Sequence, residues 1–199
     1  MGVTFFNISR FTRWGLLPKY LVTLLRSFEE RVILTRLHVD LSFLWMEDSS
    51  IRNQPINMHE TASKLDRFPT AFQQIFCPLG ISGHVDHLAV RSLAIDYWRL
   101  KCNRKPVICF YEDLPYAAKV KEIEVEIERC VTEISTFCDR LSVCYRPLST
   151  DQLKKKIDFS RHYLTQNDQG ELLKKHAEAM GKKSGQAYAE RYVCPVNTL

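Results

Sequence analysis

His84-Val85-Asp86-His87 is the segment of this chain whose residue types come nearest to chemistry. Two imidazoles three positions apart, with a carboxylate between them, can supply a metal ligand together with a general acid or an oxyanion donor. Imidazole suits zinc, and a ligating histidine ordinarily has its second ring nitrogen fixed by a carboxylate. Asp86 fits that part for His84, and it fits equally as the acid that opens a helix. The four residues alone leave both readings open. Arg10, Arg13, Arg26 and Arg52 are candidates for gripping a phosphate or a sugar, because the guanidinium fork matches such groups, although a solvated face explains them as well. His38-Val39-Asp40, the other His-x-Asp, reads as a loop histidine before a strand. His59, His162 and His176 lie among charges without ligand spacing and read as surface residues. Lys154-Lys155-Lys156 and Lys182-Lys183 read as solvated helix ends.

The elements around these residues follow from apolar periodicity. Val3 to Ile8 is β-branched and aromatic, which predicts a buried strand. From Pro18 to Leu37, Leu21, Leu24, Leu25, Phe28, Val32 and Leu37 recur at three and four, with Arg26, Glu29, Glu30 and Arg31 opposite, which predicts an amphipathic helix. Val39 to Trp45 is a second strand and Glu47 to Asn57 a polar loop. Ile75 to Leu79 is a third strand, ending in Gly80-Ile81-Ser82-Gly83, with a helix running from Leu88 to Trp98. Pro106 to Tyr111 is a fourth strand, and Lys119 to Cys138 a helix with Ile123, Ile127, Val131 and Ile134 on one face. Leu141 to Tyr145 is a short strand. Ser149 begins a capping box for a helix through Ile157 and Leu164, and Gly170 to Met180 is the last helix. Strands alternating with helices predict one α/β domain over residues 1–199, a mostly parallel, Rossmann-like sheet flanked by helices. In such sheets the ligand crevice lies beyond the carboxyl ends of the strands, which is where Gly80 to His87 falls.

Composition bounds the class. The 199 residues are 45% hydrophobic and 26% charged, with 7 Gly and 8 Pro, which describes an ordinary globular chain and excludes collagen-like and low-complexity types. A chain of this length buries roughly 70% of its unfolded surface and needs no staples. Lys and Arg exceed Asp and Glu by 28 − 23 = 5, too mild a surplus to signal nucleic acid. Seven cysteines, an odd number with no Cys-x-x-Cys pair, exclude a zinc ribbon and predict reduced thiols in a cytoplasmic protein, with Cys109, Cys130 and Cys138 in the core. No apolar run is long enough to span a membrane, and Met1 to Ile8 has no signal-peptide character.

Pro78 to His87, then Val90-Arg91, then Phe110-Tyr111-Glu112-Asp113-Leu114-Pro115-Tyr116, closely resembles the PIG-L/LmbE-like family of zinc-dependent N-acetylglucosaminyl deacetylases. The resemblance covers nearly the whole chain. Phe6 to Arg10 is similar to the family's second strand and its loop, Arg26 to Arg31 to its Arg/Glu-rich helix, and Trp45 to Asp48 to its Leu-x-Asp segment. Tyr163-Leu164-Thr165-Gln166 and Ala189-Glu190-Arg191-Tyr192 are similar to two later motifs. The resemblance implies Zn2+ or another divalent metal, held by His87 and by an early His-Pro-Asp-Asp motif. It implies that His84 serves as the oxyanion or general-acid histidine, with Asp86 as its orienter. It implies an N-acetylated sugar or glycoconjugate as substrate, with Arg10, Arg26 and Arg52 as sugar-binding candidates.

No His-Pro-Asp-Asp occurs in these 199 residues. In the family that motif belongs to a strand preceding Val3, so the first βα unit, roughly 30 residues, is expected to be missing. Metal binding is then expected to be impaired, and Val3 to Ile8 to form an open edge that favours self-association. Two readings remain: a deacetylase of GlcNAc-type sugars or related amides, and a non-catalytic carbohydrate-binding or interaction protein on the same scaffold.

Overall fold

A computed structural model describes residues 1–9, 11–13, 15–65, 73–101, 107–137, 140–166 and 168–196 of the chain. Its elements, in chain order, are β1 (Gly2–Ile8), β2 (Phe11–Thr12), β3 (Gly15–Leu16), α1 (Lys19–Arg36), β4 (Leu41–Glu47), α2 (Met58–Leu65), β5 (Gln74–Pro78), α3 (Val85–Lys101), β6 (Val107–Tyr111), α4 (Ile123–Ser135), β7 (Leu141–Pro147), α5 (Thr150–Arg161), α6 (Gly170–Ser184) and β8 (Ala189–Pro195). Strand and helix alternate as expected for the α/β class. The chain divides into two compact units, Met1–Pro55 with Asp151–Lys174, and Ile56–Thr150 with Lys175–Leu199. Among the described residues no helix is long and apolar enough to cross a membrane.

In the first unit β1 runs parallel to β4 from Gly2↔Leu41 to Ile8↔Glu47, and among the described residues β1 pairs with β4 alone. The helix expected over Pro18 to Leu37 is α1, but the face it buries is not the leucine stripe. Val22, Ser27, Glu29 and Ile33 are buried, whereas Leu24 and Phe28 are about two-thirds exposed. The polar groups decide this orientation. Glu29 accepts the Thr165 backbone N–H at 2.8 Å and the Thr165 hydroxyl at 2.7 Å, so its carboxylate is buried with both oxygens satisfied. Next to it, burial pushes the Glu30 carboxyl above its ordinary pKa, offset in part by a hydrogen bond from Tyr163.

The second unit is built on a four-stranded sheet in the order β5-β6-β8-β7. β5 and β6 are parallel, in register from Gln74↔Val107 to Pro78↔Tyr111. β8 lies antiparallel to both of its neighbours, which makes this sheet mixed. Cys77, Ile108, Phe110 and Val193 project from one face of the sheet into a core with Ile95, Ile127, Cys130 and Ile134. The apolar face of α4 is therefore the one its periodicity predicts.

Two expectations need correction here. The Cys109 and Cys194 sulfurs are paired as a disulfide between β6 and β8, so these two thiols are not reduced. The antiparallel register causes this, since Cys109, just before Phe110 on β6, and Cys194, just after Val193 on β8, flank the Phe110↔Val193 pair on the same side, with Cα atoms 4.5 Å apart despite a separation of 85 residues. Cys77, Cys130 and Cys144 are in no disulfide, and Cys102 and Cys138 lie outside the described residues. His176 is not a surface residue either. Its side chain is 9% exposed, and its Nε2 lies 2.5 Å from Glu112 Oε2.

Glu112 and Arg191 form a buried charged pair between β6 and β8. The Arg191 side chain has no exposed surface, donates through Nε to Glu112 Oε1 at 2.5 Å, and grips both oxygens of Glu124 through Nη1 at 2.7 Å. Burial works against the Arg191 charge, but the Glu124 and Glu112 carboxylates outweigh it and hold the guanidinium protonated. Deleting one partner of a buried ion pair strands the other. Arg191→Met is therefore expected to lose about 3–5 kcal/mol in urea unfolding, and adding Glu112→Gln is expected to restore part of it. A double variant as unstable as the sum of its parts would show that the two do not act as a pair.

Candidate active site

β5 and β6 end side by side, so the segments that leave Pro78 and Tyr111 must meet. Leu79 N–H extends the pairing to Tyr111 O at 2.9 Å. The chain then turns through Gly80 at φ 80°, Ser82 at φ 65° and Gly83 at φ 72°, a run of left-handed backbone that only glycine adopts without strain. His84 returns to an extended conformation and its carbonyl accepts the Leu88 N–H at 3.0 Å, so His84 sits at the N-terminal cap of α3. One turn into α3, His87 stands beside it, with ring centroids 4.8 Å apart. Arg91, one turn further, reaches back to Leu79 O at 2.8 Å and locks the turn.

The β6 exit supplies the carboxylate. Asp113 has no exposed side-chain surface; its Oδ2 accepts the Ile81 N–H at 2.7 Å and its Oδ1 lies 2.9 Å from His87 Nδ1. That last separation is ion-pair distance, although neither atom has a hydrogen-bond partner of good angle. Tyr116, three residues on, packs its ring against both imidazoles, at 5.2 Å from His84 and 5.4 Å edge-on from His87. Buried Asp113 and the Tyr116 ring thus flank the two imidazoles.

Sequence and structure can be matched residue by residue. His84 and His87 come together as the pattern requires. Asp86 is buried in the first turn of α3, where an acid interacts favourably with the helix dipole. Asp113 and Tyr116 were not singled out by sequence reasoning. The available signals were their place in the Phe110 to Tyr116 segment that carries the resemblance and their position after the carboxyl end of a strand parallel to β5. Arg26 faces Asp48, with Nη1 3.5 Å from Oδ2, and Arg52 donates to Glu47 O at 2.8 Å while its guanidinium covers the Phe6 ring. Both belong to the first unit; Arg10 lies outside the described residues.

His87, with a carboxylate at Nδ1, has the arrangement ordinary for a metal ligand. Zinc takes three or more protein ligands, however, and among the described residues no group of three His, Cys, Asp or Glu side chains is placed to hold a metal. These residues do not complete a zinc centre.

No family model and no curated protein matches the sequence. Solved structures do match. The zinc-inhibited form of teicoplanin deacetylase Orf2 aligns with a TM-score of 0.68 at 17% identity, over 96% of this chain and 85% of that one. The A40926 pseudoaglycone deacetylase Dbv21 aligns at 0.68 and 21% identity, over 97% and 84%. The N,N'-diacetylchitobiose deacetylase from Pyrococcus horikoshii aligns at 0.55 and 17% identity, over 97% and 72%.

A methyl added at Gly80 would lie 2.7 Å from Leu88 Cδ2 and 3.4 Å from Arg91 Nη1, whereas one at Gly83 meets nothing within 4 Å. Gly83→Ala is expected to cost only the left-handed strain, about 1–2 kcal/mol. Gly80→Ala must in addition push the Leu88 side chain aside, and is expected to cost more in urea unfolding. Equal losses for the two would contradict the packing described. At these identities the likeness to the three enzymes establishes the fold alone: this chain shares their α/β architecture.

Proposed function

We propose that the chain is a PIG-L/LmbE-like deacetylase that hydrolyses the N-acetyl group of a GlcNAc-type sugar or a related amide. The observation that supports this is the meeting of His84 and His87, at the β5 exit, with buried Asp113 from the β6 exit, in a fold shared with an A40926 pseudoaglycone deacetylase and an N,N'-diacetylchitobiose deacetylase. In this reading His84 donates a proton or hydrogen bond to the amide oxygen as charge builds there. Asp113 fixes the ring of His87, and Asp86 orients His84 from the first turn of α3. His87 is the residue that would ligate Zn2+ or another divalent metal, but the described residues form no group of three ligands, and no step is assigned to the ion. Arg26 and Arg52 are the sugar-binding candidates.

The same ligand count favours a second reading, a non-catalytic protein that binds N-acetylated sugars on this scaffold. Incubation with an N-acetylglucosaminyl glycoside and added zinc separates the two. The deacetylase reading predicts acetate release that falls about a hundredfold to a thousandfold in His84→Ala, the ordinary cost of one oxyanion donor. Saturable glycoside binding with no acetate would establish the second reading, and neither binding nor acetate would contradict both.

A further inference from the structure

The first unit carries a surface depression of about 470 Å3, lined by Arg36, Lys155, Asp158, Phe159, Arg161 and His162. That volume is in the range of small-molecule sites. Three cations against one carboxylate leave two positive charges around it. We propose that this depression is a binding site for an organic phosphate monoester, with the phosphate held by Arg36, Lys155 and Arg161 and the organic part against Phe159.

The cations are placed rather than merely present. Arg36 Nη1 lies 2.6 Å from His162 Nε2, and since a guanidinium can only donate, Nε2 is the acceptor. The His162 proton is therefore on Nδ1, which donates to Asp158 O at 2.7 Å. A neutral imidazole anchored to the backbone thus holds the Arg36 guanidinium at the rim, leaving its other N–H groups for a ligand. Among the described residues Arg161 has only long, exposed ion pairs, 3.5 Å to Asp158 and 3.6 Å to Asp168, which are weak and easily exchanged for a phosphate. Lys155 makes no hydrogen bond or ion pair among the described residues. Arg36 and Arg161 each sit in the last turn of a helix, where a cation complements the dipole. That accounts for neither Lys155 nor the Arg36–His162 bond. A monoester dianion, with its charge of roughly −1.5 to −2 at neutral pH, balances the site. Phe159 is half-buried on the same wall, its ring 6.4 Å from that of His162.

Calorimetric titration at constant ionic strength with inorganic phosphate and with phenyl phosphate tests the proposal. One saturable site is expected, with phenyl phosphate the tighter ligand. Exposed charge pairs are each worth up to about 1 kcal/mol, so Arg36→Gln with Lys155→Gln is expected to weaken binding about tenfold. Lys154→Gln, one position off the depression on the same helix, is expected to change nothing. Absence of saturation would overturn the proposal, as would an equal loss in Lys154→Gln, which would mean diffuse attraction to net charge. Equal affinity for the two ligands would remove the role given to Phe159.

Discussion

Asp113 joins two chain segments that are far apart in sequence and adjacent only because β5 and β6 are parallel. One of its oxygens takes the Ile81 N–H, the first donor of the turn after β5, and the other stands against His87 Nδ1. A carboxylate with no exposed surface carries a large desolvation cost, so it is stable only where polar partners surround it. That requirement fixes the turn, and the turn fixes the histidines. Gly80 makes the left-handed entry, Arg91 closes on Leu79 O, and His84 and His87 are left one helical turn apart at the mouth of the strands.

The residue before Asp113 faces the other way. Successive strand-end residues alternate sides, and Glu112 meets Arg191 and His176 instead of the turn. Removing either member of such a buried pair is far costlier than its net contribution to stability suggests. β6 thus leaves the sheet with one carboxylate serving the candidate site and one tying β6 to β8 and α6. The Cys109–Cys194 bond lies on the same two strands, so the exit of β6 is held to β8 by a covalent link and by an ion pair.

What the residue pattern could show was set by locality. The Gly80 to His87 segment was legible because a β-branched strand, two glycines and a helix start succeed one another within a few residues. The apolar face of α4 was legible because its isoleucines contact only a core. α1 was not, because its burial is decided by Glu29 and by a threonine at position 165, a pairing no local window contains. β8 was not predicted as a strand, since a segment containing Glu190 and Arg191 looks solvated until Glu112 and Glu124 are known to face Arg191. His176 and the Cys109–Cys194 pair are cases of the same kind. α2 shows too few turns, with eight residues, for its apolar spacing to stand out.

The role of Asp113 as the group that fixes His87 is the point on which the candidate site depends. Long-range proton–nitrogen correlation of the imidazoles, with nitrogen-15 histidine at pH 7.5, reads it directly. If Nδ1 donates to the Asp113 carboxylate, the proton sits there and Nε2 is bare, the reverse of the tautomer favoured by a free histidine. The Nδ1–H form is predicted for His87, reverting to the Nε2–H form in Asp113→Ala. An Nε2–H form of His87 in the unaltered protein would contradict that role.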